Sequence, residues 1–288
     1  MTGRRLRAGA GRMGAAGLLL ALTPAADPQE RPWLDRCLDA EPVHHWLLPP
    51  AFREVSGLAL SDDGRLFFHN DEQGILAAID PAKGTILATF RLGPGTPRDD
   101  FEGVAIRNDR LFLVTSRGLL YESRVPAPGP VELGMLPFRI VDTGLGRECE
   151  IEGLGVDADG ALLVACKTAR RKRLEDWLTL FRWNPDRQAL AEPDRIQVPL
   201  DDLAKGRPGK RFHASGVERH PTSGRLIVVA ASDEAIAELG PAGEAPRARR
   251  LPRRHRQAEG IAIDKTGRLI LSDEGGRGHG SVTVYACR

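Results

Sequence analysis

The chain has 288 residues, 41 Lys and Arg against 39 Asp and Glu, and 41% hydrophobic but only 5% aromatic residues. Four arginines (Arg4, Arg5, Arg7, Arg12) fall in the opening stretch, so the rest carries 37 basic against 39 acidic groups, a net −2 instead of +2. That balance excludes a globally basic nucleic-acid-binding surface, and no apolar run reaches the roughly 20 residues of a membrane-spanning helix.

The basic opening leads into an apolar run of roughly ten residues, Met13 to Leu22, and then Thr23-Pro24-Ala25-Ala26, the three-part layout of a secretory signal. Residues 1–26 are expected to be a signal peptide cleaved after Ala25 or Ala26, which places the protein in the periplasm or outside the cell. Residues 27–42 form a lead-in segment and 43–288 a single domain. Cys37 follows Trp33-Leu34-Asp35-Arg36 and lacks the small-residue context of a lipoprotein site. Four cysteines suit an oxidising compartment. Cys37 and Cys287 sit near the two ends of the mature chain, and Cys149 and Cys166 flank one predicted hairpin. Pairing 37 with 287 and 149 with 166 is the most economical connectivity, against the alternative of four buried free thiols. No Cys-x-x-Cys or histidine cluster points to zinc.

A short phrase then recurs five times: Ser56-Gly57-Leu58-Ala59-Leu60, Glu102-Gly103-Val104-Ala105-Ile106, Glu152-Gly153-Leu154-Gly155-Val156, Ser215-Gly216-Val217-Glu218-Arg219 and Glu259-Gly260-Ile261-Ala262-Ile263. Its glycines stand 46, 50, 63 and 44 residues apart, the period of a repeat architecture. Each phrase runs into a turn rich in Asn, Asp and Gly and then a second apolar strand, for example Arg110 to Val114 or Arg225 to Val229, which is hairpin grammar. Third strands follow at Ile75 to Ile79, Leu119 to Glu122, Leu178 to Trp183, Ala235 to Leu239 and Val282 to Tyr285. Fourth strands are expected at Ile86 to Leu92, Met135 to Val141, Ile196 to Leu200 and Ala248 to Leu251.

Four antiparallel strands per unit of roughly 45 residues predict an all-β fold, a five-bladed β-propeller. The last blade borrows its fourth strand from His44 to Leu48, and a Cys37 to Cys287 bridge would staple that closure. Six blades would need a hidden blade within Arg170 to Phe212, where an insertion reads better. A β-sandwich or β-helix is the competing fold, and neither carries a repeat of this length. The basic run Arg247 to Arg256 reads as the solvated face of an outer strand, not a polyanion site.

The repeat gathers polar residues at one end of every blade. Glu102, Glu152 and Glu259 open first strands, so they converge on the axis, where confined carboxylates either keep raised pKa values or require a cation. With Asp71 they form the candidate ligand set for Ca²⁺, a hard cation bound through oxygen. Lys167, Asp273, Ser215, Asp233 and Arg170 are the further ligand-binding candidates. Lys167 could itself neutralise a carboxylate, and the polar ring could hold only water.

The phrases resemble the SdiA-regulated domain family of exported bacterial β-propellers. The residues that carry the resemblance are Arg53 to Leu58, Asn70 to Gly74, Asp99 to Ala105, Leu120-Tyr121-Glu122, Ile151 to Leu154 with Leu163 to Lys167, Ser215-Gly216-Val217, and Ala258 to Ala262 with Ser272 to Gly275. It spans most of residues 53–286 and implies an exported propeller, with no settled activity to carry over. Glu218-Arg219 departs from the small and apolar pair usual there, as does the basic insertion Arg170 to Arg173.

Two functions compete. One is a binding or scaffold module for a small molecule or cell-envelope component, with no nucleic acid and no membrane span. The other is a Ca²⁺-dependent hydrolase, similar in layout to propeller lactonases and the esterase-like phytases, in which Glu102 or Asp71 activates water. No Gly-x-Ser-x-Gly nucleophile, phosphate loop or haem motif is present.

Overall fold

Each hairpin turn expected from the repeat is made by a residue that tolerates left-handed backbone. Gly64, Asn108, Gly160, Gly224 and Gly267 have φ of +86°, +56°, +83°, +69° and +80°, where only glycine and short amide side chains sit without strain. The computed structural model describes residue 1, residues 31–205 and residues 211–287, so the expected signal peptide lies outside the described residues.

A one-and-a-half-turn helix, α1 (Trp33–Leu38), is followed by strand β1 (His44–Leu47). Blade one contains β2 (Val55–Leu60), β3 (Leu66–Asn70), β4 (Ile75–Asp80) and β5 (Thr85–Leu92). Blade two follows with β6 (Phe101–Arg107), β7 (Arg110–Thr115), β8 (Leu119–Arg124) and β10 (Arg139–Asp142), and β9 (Val131–Leu136) lies in the chain between the last two. Blade three has β11 (Cys149–Val156), β12 (Leu162–Ala169), β13 (Trp177–Asn184) and β14 (Ala189–Pro199), then a single helical turn α2 (Leu200–Leu203). Blade four is β15 (Gly216–Arg219), β16 (Leu226–Ala230), β17 (Ala235–Leu239) and β18 (Arg247–Arg250); blade five is β19 (Ala258–Ile263), β20 (Leu269–Asp273) and β21 (Ser281–Tyr285).

The sheets are β2-β3-β4-β5-β9, β6-β7-β8-β10, β11 to β14, β15 to β18, and β19-β20-β21-β1, and the molecule is a five-bladed β-propeller. β1 closes the last blade antiparallel to β21, with His44 opposite Val284 and Leu47 opposite Ser281. The long interval before blade four forms no sixth blade among the described residues. Its extra length lies in β13 and β14, of 8 and 11 residues, and in α2.

One expected strand is two. The run Met135 to Val141 breaks at Pro137, which has no N–H for a ladder. On one side β9 adds in parallel to β5 of blade one, and on the other β10 completes blade two.

Because strand side chains alternate between faces, each blade buries one row against each neighbour. Five apolar clusters result, one per junction, such as Phe67, Phe90, Leu111 and Leu113 between blades one and two. α1 extends the cluster between blades four and five through Leu34, Cys37 and Leu38. It is tied there by the Cys37–Cys287 disulfide, with Cα atoms 4.1 Å apart, and by Arg249, which donates to Asp35 at 2.6 Å and Asp39 at 2.8 Å. The second disulfide joins Cys149 to Cys166 across β11 and β12. Beside Arg249, two more arginines of the basic run pair with acids: Arg254 with Glu41 at 2.9 Å and Arg250 with Glu234 at 3.9 Å.

The five first strands β2, β6, β11, β15 and β19 contact one another around the axis. A methyl group on Gly57 would lie 2.8 Å from the Val104 nitrogen, on Gly103 2.7 Å from the Leu154 nitrogen, and on Gly153 2.8 Å from the Gly216 Cα. On Gly216 it would lie 2.6 Å from the Glu259 carbonyl, and on Gly260 3.0 Å from the Gly57 carbonyl carbon. Each repeat glycine is thus pressed on the backbone of the next blade, and the series returns to its start.

Candidate functional site

This glycine collar divides the axial channel. At its level only about 10 Å³ remains, around the minimum for a single water. Above it, on the side where the first strands begin, lies a chamber of about 330 Å³.

Backbone irregularity aims the acids into that chamber. The pairing of the first two strands skips one position at Glu102, at Glu152 and at Glu259, and skips Ser56 and Gly57 in blade one. A bulged residue leaves the ladder and its side chain is re-aimed. The chamber walls therefore carry Glu102, Glu152 and Glu259 from the bulges, Asp71, Asp100 and Glu274 from neighbouring loops and strand ends, and a single cation, Lys167, with Ser56, Ser232 and Gln257 between them.

Six carboxyl groups facing one ammonium cannot all ionise cheaply in a partly dehydrated space. Burial, reinforced by the charges of Glu152 and Asp100, pushes Glu102 up to about 10. Burial raises Glu259 to about 8, with Glu152 and Glu274 adding to it. Glu152 rises only to about 7, because Lys167 opposes its burial, the Lys167 ammonium donating to Glu152 Oε1 at 2.5 Å. Burial and the Glu54 charge hold Asp71 at about 6, and burial with Asp71 holds Glu274 at about 7. Lys167 resists its own burial through Glu152, Glu102 and Glu259, and its pKa lies above the ordinary value. Glu152 is 4% exposed, and Oε2 of both Glu152 and Glu259 is buried without a hydrogen-bond partner.

The structure brings Asp71, Glu102, Glu152, Glu259 and Lys167 together in this chamber. The other sequence-derived candidates have different surroundings. Asp273 accepts from His255 Nδ1 at 2.6 Å, and with the proton on Nδ1 the His255 Nε2 accepts from the Tyr285 hydroxyl, also at 2.6 Å, a buried chain behind the wall. Asp233 accepts the His213 backbone N–H at 2.6 Å. Ser215 lies in the collar, donating to the Ala258 carbonyl at 2.9 Å and accepting from Ala231 N–H at 3.1 Å. Arg170 donates to the Gly146 carbonyl at 2.8 Å on the exterior. Asp100 and Glu274, which also face the chamber, stand beside strand ends as Asp71 does, whereas Gln257 carries no sequence signal.

A calcium ion needs several oxygens at one bonding distance. Among the described residues no group of three or more His, Cys, Asp or Glu side chains is arranged to hold a metal ion. The acids share the chamber with the Lys167 ammonium, which lies beside Glu152.

No family model and no curated protein matches the chain. Among solved structures it is similar to glutaminyl cyclase of Myxococcus xanthus, with 18% identity, a TM-score of 0.57, and 85% of this chain and 94% of that chain covered. It is also similar to the PQQ-bound aldose sugar dehydrogenase of Streptomyces coelicolor, with 13% identity, a TM-score of 0.50, and 85% and 99% covered. Virginiamycin B lyase of Staphylococcus aureus matches at 12% identity and a TM-score of 0.39 over 79% of this chain, which spans 66% of that protein. At these identities the likeness concerns the fold.

Proposed function

We propose that the protein is an exported binding module, of the SdiA-regulated type, whose upper chamber takes a small ligand bearing positive charge. The observation that carries this reading is the pair of buried, unpartnered carboxylate oxygens on Glu152 and Glu259, in a chamber with six carboxyl groups and one ammonium. A buried acceptor without a donor costs free energy until a ligand supplies one. An ammonium ligand would donate to both oxygens, and its charge would draw the neighbouring acids toward ionisation. The two disulfides support export.

Titration calorimetry with 1,4-diaminobutane tests the reading, beside a parallel titration with Ca²⁺ on chelator-treated protein. Saturable binding of the diamine near one per chain, weakened at least tenfold by Glu152→Gln in a variant that melts like the parent, is the expected result. Calcium binding abolished by the same change would instead make the ring an inorganic cation site, requiring Lys167 to leave Glu152. Absence of heat with either probe would remove the chamber as a cation site.

A second reading, a hydrolase, is favoured by Asp71 and Glu102 lining one chamber, burial raising Glu102 well above Asp71, the pattern of an acid and a base in one site. In it Asp71 activates water and Glu102 donates a proton, since Glu102 keeps its proton at neutral pH. Turnover of ester, lactone or phosphate substrates that is lost in Asp71→Asn would establish it.

A further inference from the structure

The channel opens again below the collar, with different chemistry. A cavity of about 310 Å³ is walled by the ends of the first strands, among them Leu58, Val104, Ile106, Leu154 and Ile263, with the charged Asp62, Asp264, Lys265 and Arg268 on the side of blades one and five. That volume lies within the range of small-molecule sites, which combine apolar walls with few polar groups.

One residue in the wall breaks the repeat. Two places after the collar glycine stand Ala59, Ala105, Gly155 and Ala262, and in blade four Glu218. The small residues show what the ring requires for packing at this level. Glu218 faces the cavity, and its Oε1 accepts only its neighbour's backbone N–H, from Arg219, at 2.8 Å.

The cations nearest the cavity, two of them in its lining, each lie beside an acid other than Glu218. Arg219 pairs with Asp157 at 2.8 Å, Arg268 with Asp264 at 2.5 Å, and Lys265 with Asp62 at 3.7 Å. Among the described residues, Glu218 has no cationic partner. A carboxyl group in an apolar wall without a counter-ion is costly as built.

We propose that this lower cavity is a second binding site, for a small organic amine with an apolar body, and that Glu218 is the anion its ammonium group pairs with. The apolar body fills the space between the strand ends, and the ammonium replaces the missing donor. Burial pushes Glu218 up to about 8, and no charged neighbour contributes to that shift. At pH 7 the free site therefore holds the proton. A protonated amine entering it forms an ammonium–carboxylate pair, and the Glu218 proton leaves to solvent. Binding accordingly releases close to one proton at pH 7 and tightens as pH rises toward 8.

The test is calorimetry of the purified protein with 2-phenylethylamine, and with 2-phenylethanol as a neutral analogue of the same shape. Expected are saturable amine binding near one per chain, alcohol binding at least tenfold weaker, and amine binding at least tenfold weaker in Glu218→Gln. Repeating the titration in buffers of different ionisation enthalpy should show the released proton, absent in that variant. All of these titrations are made in a Glu152→Gln background, which removes the upper chamber as a second amine site, so the two sites fail separately. Glu218→Ala, which places in blade four the residue type of the other blades, should melt at or above the parent temperature.

The proposal is overturned by equal binding of alcohol and amine, by amine affinity that Glu218→Gln leaves unchanged, or by no saturable binding. It is also overturned if Glu218→Ala and Glu218→Gln both unfold at markedly lower temperature, which would make the carboxyl a packing group.

Discussion

A carboxyl group that folds into the upper chamber changes its proton affinity, and stability inherits that change. Glu152, Glu259 and Glu102 rise from 4.5 to about 7, 8 and 10. Above about pH 4.5 the folded protein therefore binds more protons than the unfolded chain, and its stability falls with pH. The contribution is complete below the unfolded values and is lost as pH rises through the folded ones. Asp63, lowered to about 2 chiefly by Arg65, acts in the opposite sense but only below about pH 4, where its contribution fades as it is protonated. The melting temperature should decline from pH 5 to pH 9 at constant ionic strength. Glu102→Gln, which keeps the hydrogen-bonding shape of the neutral acid, should flatten that decline and be more stable at pH 9 by about 1 kcal/mol or more. A wild-type melting temperature that climbs over the same range would contradict this account.

At the level of the element, the collar explains why the repeat phrase has a glycine at its second position. Gly103→Ala sets a methyl 2.7 Å from the Leu154 backbone nitrogen and should cost about 1–3 kcal/mol in urea unfolding, the range of overpacked sites. Gly95→Ala, whose new methyl meets nothing within 4 Å, should change stability by less than about 0.5 kcal/mol. The same glycines made the architecture readable, because one steric demand recurs in every blade and leaves a repeated mark in the sequence. Where no local signal exists, reading fails. β9 joins blade one by a parallel pairing across blades, and an apolar run interrupted by one proline looks like a single strand. Asp273 and Asp233 stand at strand ends just as Asp71 does. The strand position of a residue does not reveal which neighbour its side chain meets, and the bulges at Glu102, Glu152 and Glu259 become visible only in the pairing register. Glu218 stood out in the sequence as a departure, but the cavity that gives it meaning is assembled from segments of all five blades.

Over the whole molecule, stability depends on keeping the ring shut. The Cys37–Cys287 bridge spans 250 residues and Cys149–Cys166 only 17, so the chain-entropy model assigns the larger effect to the first. Replacing Cys37 and Cys287 by serine should cost about 2–5 kcal/mol and should exceed the effect of replacing the other pair, as read by denaturant unfolding under oxidising conditions. Equal losses would mean that blade one and blade five hold together without the staple. The closure by β1 also has a consequence in time. His45 meets Thr283 across 238 residues, and ribosomes deliver the chain from one end. Through nearly all of synthesis, the segment His44–Leu47 lacks the strand it pairs with in the fold, and a strand edge left unpaired is of the kind that recruits foreign strands. The last blade to be made is the one that ends this exposure, so the nascent chain is expected to need a chaperone's cover until its final residues emerge.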